Sequence, residues 1–297
     1  MPQISIILGT YGQKEILKKV LDSFQEQTLS GTKFEIVVVD SSSPDGTGEF
    51  LTSYHPNYQF KAIIQANMGK AAARNRAILE ASSPLILITD ADMIAHPKLV
   101  ETHLEAHHAF GKPASFEGLT YNMRRLEWPS SPDNLTAYIS KDYSDGSKLG
   151  WYYFLTGNIS LPKALFEKFK GFDTDFKGYG WEDLELGYRM SQMKIPHFYL
   201  KNAINYHYHV ITEEEEIRRS VDKGKSAKVF LEKHPELKWF LGCNPLSLFV
   251  HKQIKEDGRI YSYLKQNFFD SKTDWKHRFG AWFLKEHHYL TGIRSHV

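Results

Sequence analysis

Apolar and polar positions follow two rhythms along the first ninety residues. Ile4, Ile6, Ile7 and Leu8 crowd a strand-sized run that closes at Gly9–Gly12, the pattern of a strand buried on both faces. Ile16, Leu17, Val20, Leu21 and Phe24 then recur at helical spacing. Phe34 to Val39 predicts a second buried strand, closed by Asp40, and Ser41 to Gly46 combines turn chemistry with a helix start. Phe60 to Ile64 predicts a third strand, Lys70 to Glu80 a helix, and Leu85 to Thr89 a fourth strand. Strands alternating with helices imply an α/β fold, a mostly parallel central sheet with helices on both faces, which binds ligands at the carboxyl ends of its strands. Thr10, Asp40 and Asp90 each stand at such an end, so three polar groups are expected to meet at one crevice.

Leu99, Val100, His103, Leu104 and His107 mark another helix. Its two histidines are read as packing or surface residues, because Glu105 is not where a His-Glu-x-x-His zinc site requires it. Ser115 to Tyr121 predicts a strand, and Asn122 to Gly150 a long polar loop, of the kind that is either disordered or borders a binding site. Ala203 to His209 alternates like a strand, which puts His207 and His209 on one face. Glu213 to His234 reads as a charged helix interrupted by Gly224, and Trp275, Phe279, Trp282, Phe283 and Leu290 align on one side of a last helix. The expected division is a catalytic body over residues 1–211 and a mainly helical extension over 212–297.

Of the 297 residues 41% are hydrophobic, enough for a sizeable core, and a net charge of +2 argues against a nucleic-acid binder. The charge is unevenly spread: Lys and Arg number 21 against 23 Asp and Glu through residue 211, and 16 against 12 from Thr212 onward. Trp and Phe beside Lys276, Arg278 and Lys285 in that basic extension suit a membrane surface, with docking on the body as the alternative. Cys243 is the sole cysteine, which excludes an intrachain disulfide and fits a reducing compartment. With no secretory pattern and no apolar run of spanning length, the expected location is the cytoplasm or the inner face of a membrane.

The chemistry gathers at two places. Asp90 and Asp92 follow a buried strand, where two carboxylates can converge on a hard cation carrying a diphosphate, Mg²⁺ or Mn²⁺. If the face carrying His207 and His209 borders Asp92, imidazole favours Mn²⁺. Gly178 and Gly180 flank a mobile backbone, Trp181 offers a flat face for a sugar ring, and Glu182-Asp183 opens a helix where a carboxylate can take a proton from a sugar hydroxyl. No strand is followed by Gly-x-Gly-x-x-Gly, and Gly69-Lys70 is not a P-loop, since Ile64 and Ala71 stand where Gly and Ser or Thr are needed.

In order and spacing, Ile4–Tyr11, Ile36–Asp40, Asn67–Gly69 with Ala73–Asn75, Asp90–Asp92 and Gly178–Asp183 resemble family 2 glycosyltransferases of the GT-A fold. The second half of the body resembles the galactosyltransferase carboxyl-terminal segment shared by beta-galactosyltransferases, bacterial chondroitin polymerases and polypeptide N-acetylgalactosaminyltransferases. The resemblance implies that Thr10, Tyr11 and Asp40 hold uracil and ribose, while Asn67 and Arg74 lie along the nucleotide and its diphosphate. It implies Asp90 near ribose and metal, Asp92 on the metal directly, and His207, with His209 in reserve, as the metal-binding histidine. Asp183 matches the catalytic base of inverting members, where retaining relatives carry Asn, and Glu182 would bind acceptor or sugar hydroxyls. Gly9 in place of the family's frequent Pro and Ser41 in place of a second Asp are departures that bear on the base contacts. The implied activity is transfer of a hexose or N-acetylhexosamine from a UDP-sugar to a saccharide or lipid-linked acceptor in surface-polysaccharide synthesis. The rivals are a catalytically silent sugar-binding protein on the same fold and a sugar nucleotidyltransferase, for which Gly9–Lys14 is a poor phosphate loop.

Overall fold

The computed structural model describes residues 1–127, 130–139, 143–209 and 211–295. Internal contacts divide the chain into two units, one of Met1–Thr174 with Glu182–Val210 and one of Asp175–Trp181 with Ile211–Val297. Segment 175–181, expected in the body, therefore groups with the second unit.

The first unit is built on β1 (Ile4–Thr10), α1 (Lys14–Ser23), β2 (Phe34–Asp40), α2 (Thr47–Ser53), β3 (Gln59–Ile64), α3 (Lys70–Glu80), β4 (Leu85–Thr89) and β5 (Met93–Ala95). It continues through α4 (Leu99–Phe110), β6 (Ser115–Met123), β7 (Leu135–Ala137), β8 (Asn158–Pro162), α5 (Lys163–Phe169), α6 (Glu182–Gln192) and β9 (His197–His207). The strands form one sheet in the order β3-β2-β1-β4-β8-β6-β9-β5, with β7 paired to β6. Pairing is parallel from β3 to β4; β8 then enters antiparallel, and β6 and β9 run parallel to each other.

The unbroken apolar runs have a simple cause. Ile4, Ile6, Leu8, Ile36, Val38, Leu85 and Leu87 pack on one face with α1 and α4, whereas Ile7, Val37, Val39, Ile86 and Ile88 pack on the other with α3, α5 and α6. Each such side chain contributes about 1.5–3 kcal/mol on full burial, so both faces hold the strands in register. Strand order reverses at β1, whose neighbours β2 and β4 are reached by crossovers in opposite directions. That reversal opens a crevice at the carboxyl ends of β1, β2 and β4.

Several elements differ from expectation. The long loop from Asn122 carries β7, a hairpin partner of β6 that places Tyr121 opposite Ala137. Strand β9 begins at His197 and stops at His207, so His209 lies beyond the ladder rather than on the strand face. The partners run out there, since His207 is opposite both Met93 of β5 and Asn122 of β6. His103 and His107 pack inward as expected: His103 meets Ser160 Oγ at 2.8 Å and Asn158 Oδ1 at 2.9 Å, and burial pulls its pKa down to about 4.

In the second unit, α7 (Glu213–Lys233), α8 (Pro245–Gln253), α9 (Arg259–Leu264) and α10 (Asp274–Arg294) supply the structure. Gly224 does not interrupt α7. It lets α10 approach: a Cβ there would lie 2.0 Å from the Tyr289 carbonyl oxygen, and one at Gly292 would lie 2.0 Å from that of Val221. Gly224→Val is therefore expected to destabilise the protein by about 1–3 kcal/mol through overpacking, read as a lower denaturant midpoint; an unchanged midpoint would show that the helices separate freely. The apolar residues of α10 also divide rather than share one side, since Leu290 is buried while Trp275, Phe279 and Trp282 are exposed. No helix among the described residues is long and apolar enough to cross a membrane.

Candidate active site

Asp90 leaves β4 and a tight turn, in which Met93 N donates to Asp90 O at 3.1 Å, returns the chain into β5. Because β5 pairs with the end of β9, that turn delivers Asp92 to the two histidines. Asp92 Oδ2 lies 3.5 Å from His207 Nε2 and 3.2 Å from His209 Nδ1, and the two rings stack 6° from parallel. Gln13 Nε2 approaches the same oxygen at 3.4 Å. Burial pushes the Asp92 carboxyl up, but hydrogen bonds from the two histidines outweigh it and hold the group well below its usual range.

The other nitrogen of His207 is held in turn: Nδ1 lies 3.1 Å from Asn122 Oδ1, an acceptor that orients the ring with Nε2 towards Asp92. A carboxylate and two ring nitrogens so placed are positioned to hold a cation between them. Among the described residues, Asp92, His207 and His209 are the one group of three whose ligand atoms all lie within 4.8 Å of one another. One carboxylate and two imidazoles fit Mn²⁺ better than Mg²⁺.

Asp90 is engaged on a different side. Lys70 Nζ pairs with its Oδ2 at 3.0 Å and Arg74 Nη2 with its Oδ1 at 2.8 Å. Burial raises its pKa, but these two cations more than reverse the effect and keep it ionised. Arg74, implied along the nucleotide and its diphosphate, is 1% exposed, and its Nη1 reaches Glu182 Oε1 at 2.9 Å. The guanidinium thus bridges the end of β4 to the start of α6. Asn67 is exposed and accepts from Gly69 N at 3.1 Å, shaping the turn into α3.

Glu182 and Asp183 open α6. Glu182 is buried with Oε1 on Arg74, and its Oε2 has no hydrogen-bond partner among the described residues. Burial and the adjacent Glu182 charge push the Asp183 carboxyl up to about 6, although Arg74 pulls the other way. Thr10 Oγ1 is likewise buried without a partner. Tyr11 is exposed, and Asp40 is buried accepting from Ser43 N at 3.2 Å. These two orphaned polar atoms, one at the end of β1 and one at the start of α6, leave positions for substrate hydroxyl or base groups.

Trp181, expected to offer its face to a sugar ring, belongs to the second unit. It takes a left-handed φ of 74°, a strained conformation for a bulky residue, after Gly180 at 83°. Its Nε1 donates to Lys223 O at 3.1 Å, Lys223 Nζ lies 5.3 Å over its ring, and Phe230 and Phe240 pack at 6.0 and 6.1 Å, all within the second unit.

Four participants escape the sequence pattern. Gln13 and Asn122 touch the metal-ligand set, Lys70 neutralises Asp90, and Glu117 is 2% exposed with Leu155 N donating to it at 3.1 Å. Burial, with Asp183 acting in the same direction, holds Glu117 well above the carboxylate range. Lys70 and Arg74, one helical turn apart on α3, were the pair that spacing alone could reveal. A cavity of about 340 Å³, lined in part by Gln13, Lys14, Asp45, Leu126 and Tyr208, adjoins the cluster, and Leu126 comes from the loop expected to border a binding site.

Residues 5–159 match the family described as glycosyl transferase family 2, and residues 140–213 the family described as N-terminal domain of galactosyltransferase. Validoxylamine A glucosyltransferase from Streptomyces hygroscopicus subsp. limoneus is 31% identical over 66% of this chain and 49% of its own. Chondroitin synthase from Pasteurella multocida is 25% identical over 78% of this chain and 27% of its own. The chain therefore spans about half or less of the length of these relatives. Among solved structures, S. aureus TarS in complex with UDP-GlcNAc aligns with a TM-score of 0.58 at 16% identity, over 99% of this chain and 91% of that one. A mannosyltransferase from Pyrobaculum calidifontis in complex with GDP-Man and Mn²⁺ aligns at 0.60 and 16%, over 99% and 86%. These two likenesses establish the GT-A glycosyltransferase fold.

Proposed function

The chain belongs to glycosyl transferase family 2, and from that premise we propose an inverting, metal-dependent enzyme that moves a hexose or N-acetylhexosamine from a UDP-sugar to a saccharide or lipid-linked acceptor. One observation carries the reading: the Asp92, His207 and His209 cluster on one side, and Asp183 with Glu182 on the other, joined through Asp90 and Arg74.

Inversion requires a base on the acceptor side and charge neutralisation on the leaving side. Asp183, poised near pH 6, takes the proton of the acceptor hydroxyl as that oxygen attacks the anomeric carbon. The bond from that carbon to the diphosphate oxygen breaks, and UDP departs. Asp92, His207 and His209 would hold the divalent cation, which supplies Lewis-acid stabilisation of the leaving diphosphate. Thr10, Tyr11 and Asp40 stand at the strand ends where the nucleoside would bind, and Glu182 Oε2 has a free acceptor position for a sugar hydroxyl. The chondroitin synthase relative favours a saccharide acceptor.

The direct test is release of nucleoside diphosphate from a panel of UDP- and GDP-sugars, with and without Mn²⁺. Metal-dependent hydrolysis of a UDP-sugar is expected. Turnover of GDP-mannose alone would overturn the donor class, and metal-independent turnover the cation's role.

A further inference from the structure

Helix α10 has two apolar sides. Ala281, Leu284 and Leu290 are buried within the second unit, yet Trp275, Phe279 and Trp282 are 61%, 41% and 56% exposed. These three stand at i, i+4 and i+7, one continuous stripe. Their rings touch: Phe279 lies 5.6 Å from Trp282, and Phe268 lies 5.2 Å from Phe279 and 6.3 Å from Trp275, so the preceding turn extends the patch. At about 100° per residue, Lys276 falls on one flank of the stripe and Arg278 and Lys285 on the other. Leu246, Phe249, Ile260 and Tyr263 of α8 and α9 are exposed in the same unit.

We propose that this aromatic stripe of α10 is a docking surface for an anionic lipid bilayer, on which the helix lies in the plane of the headgroups. Charge selects that occupant. From Lys238 to Glu286 the chain carries 9 Lys and Arg against 5 Asp and Glu, a net positive balance that holds although Arg278 pairs with Asp274, Lys285 pairs with Glu216 and exposed Glu286 falls at the end of the stripe. A second copy meeting the same face would set like charge against like charge, whereas anionic headgroups neutralise it. Trp and Phe bordered by Lys and Arg is the composition of helices that rest in the interface, with aromatic rings at headgroup depth. The helix lies on the bilayer rather than through it, since none of the described helices is apolar enough to cross.

The experiment is co-sedimentation of the full chain with vesicles of phosphatidylcholine alone or with a quarter phosphatidylglycerol, at low and high salt. The wild type is expected to pellet with the anionic vesicles and be released by salt. Trp275→Ser with Trp282→Ser changes two exposed side chains, and circular dichroism checks that the fold is kept; at least a tenfold loss of binding is expected. Lys276→Glu with Arg278→Glu is expected to lose roughly twentyfold or more, at about fivefold per basic side chain removed from an anionic surface. Absence of pelleting by the wild type, or equal pelleting by the tryptophan variant, overturns the proposal. So does a wild-type dimer in light scattering that the tryptophan variant splits, which would make the stripe a contact between copies.

Discussion

Asp92→Ala is expected to remove metal dependence and to lower turnover at least about a thousandfold. The estimate rests on Lewis-acid stabilisation worth several kcal/mol, at about 1.4 kcal/mol for each factor of ten. Asp92 is the sole anion among the three clustered ligands, and its Oδ2 is the atom that both histidines approach. Without it two imidazoles remain, a poor set for a hard cation beside a diphosphate. Asn122→Ala separates ligation from support. It removes the acceptor that orients His207 through Nδ1, so metal affinity should fall about 10–100-fold while turnover recovers at saturating Mn²⁺. Metal titration by calorimetry together with UDP release reads both variants. An Asp92→Ala enzyme that still responds to Mn²⁺ at near wild-type rate would dismiss the cluster as the metal site.

Legibility followed burial. Strands β1, β2 and β4 announce themselves because both their faces are covered, which leaves apolar runs ending in the polar residues of the crevice. Strand β8 is silent for the opposite reason: its Asn158 and Ser160 are polar, and they are buried because His103 and His107 come from α4 to meet them. That partnership spans more than fifty residues and has no local signature. The approach of His209 to Asp92 was anticipated through the wrong device, strand alternation, whereas a residue past the strand end makes the contact. Gly224 misled because a helix-interior glycine reads as a weakness until the facing helix shows what it admits. Arg74 is the instructive case. A basic residue near carboxylates suggests a phosphate ligand, yet full burial and two ion pairs make it the tie between the metal side and the base side.

Asp183→Asn is expected to leave donor binding intact and to lower transfer by about 10²–10⁴-fold, the usual contribution of a positioned base. The substitution is nearly isosteric, and the oxygen that accepts from Leu184 N at 2.8 Å can still do so, so the helix start should hold. The proton is what changes. Burial and the Glu182 charge raise the Asp183 carboxyl to about 6, which makes it a stronger base than an exposed aspartate while leaving it mostly ionised at pH 7. The sign is determined by the active form: the base must be deprotonated, so kcat/KM should fall as pH drops through about 6, tenfold per unit below it, and be flat above. In Asp183→Asn that acid limb should vanish along with the rate. Glu182→Gln provides the contrast, because its Oε1 is tied to Arg74 and its Oε2 is placed to receive a hydroxyl rather than to take its proton. It should raise KM and keep an acid limb, moved to lower pH because the Glu182 charge that helps to raise Asp183 is gone. If Asp183→Asn kept the limb and Glu182→Gln lost it, the two carboxylates would exchange roles; near wild-type transfer in Asp183→Asn would remove the base from this position altogether.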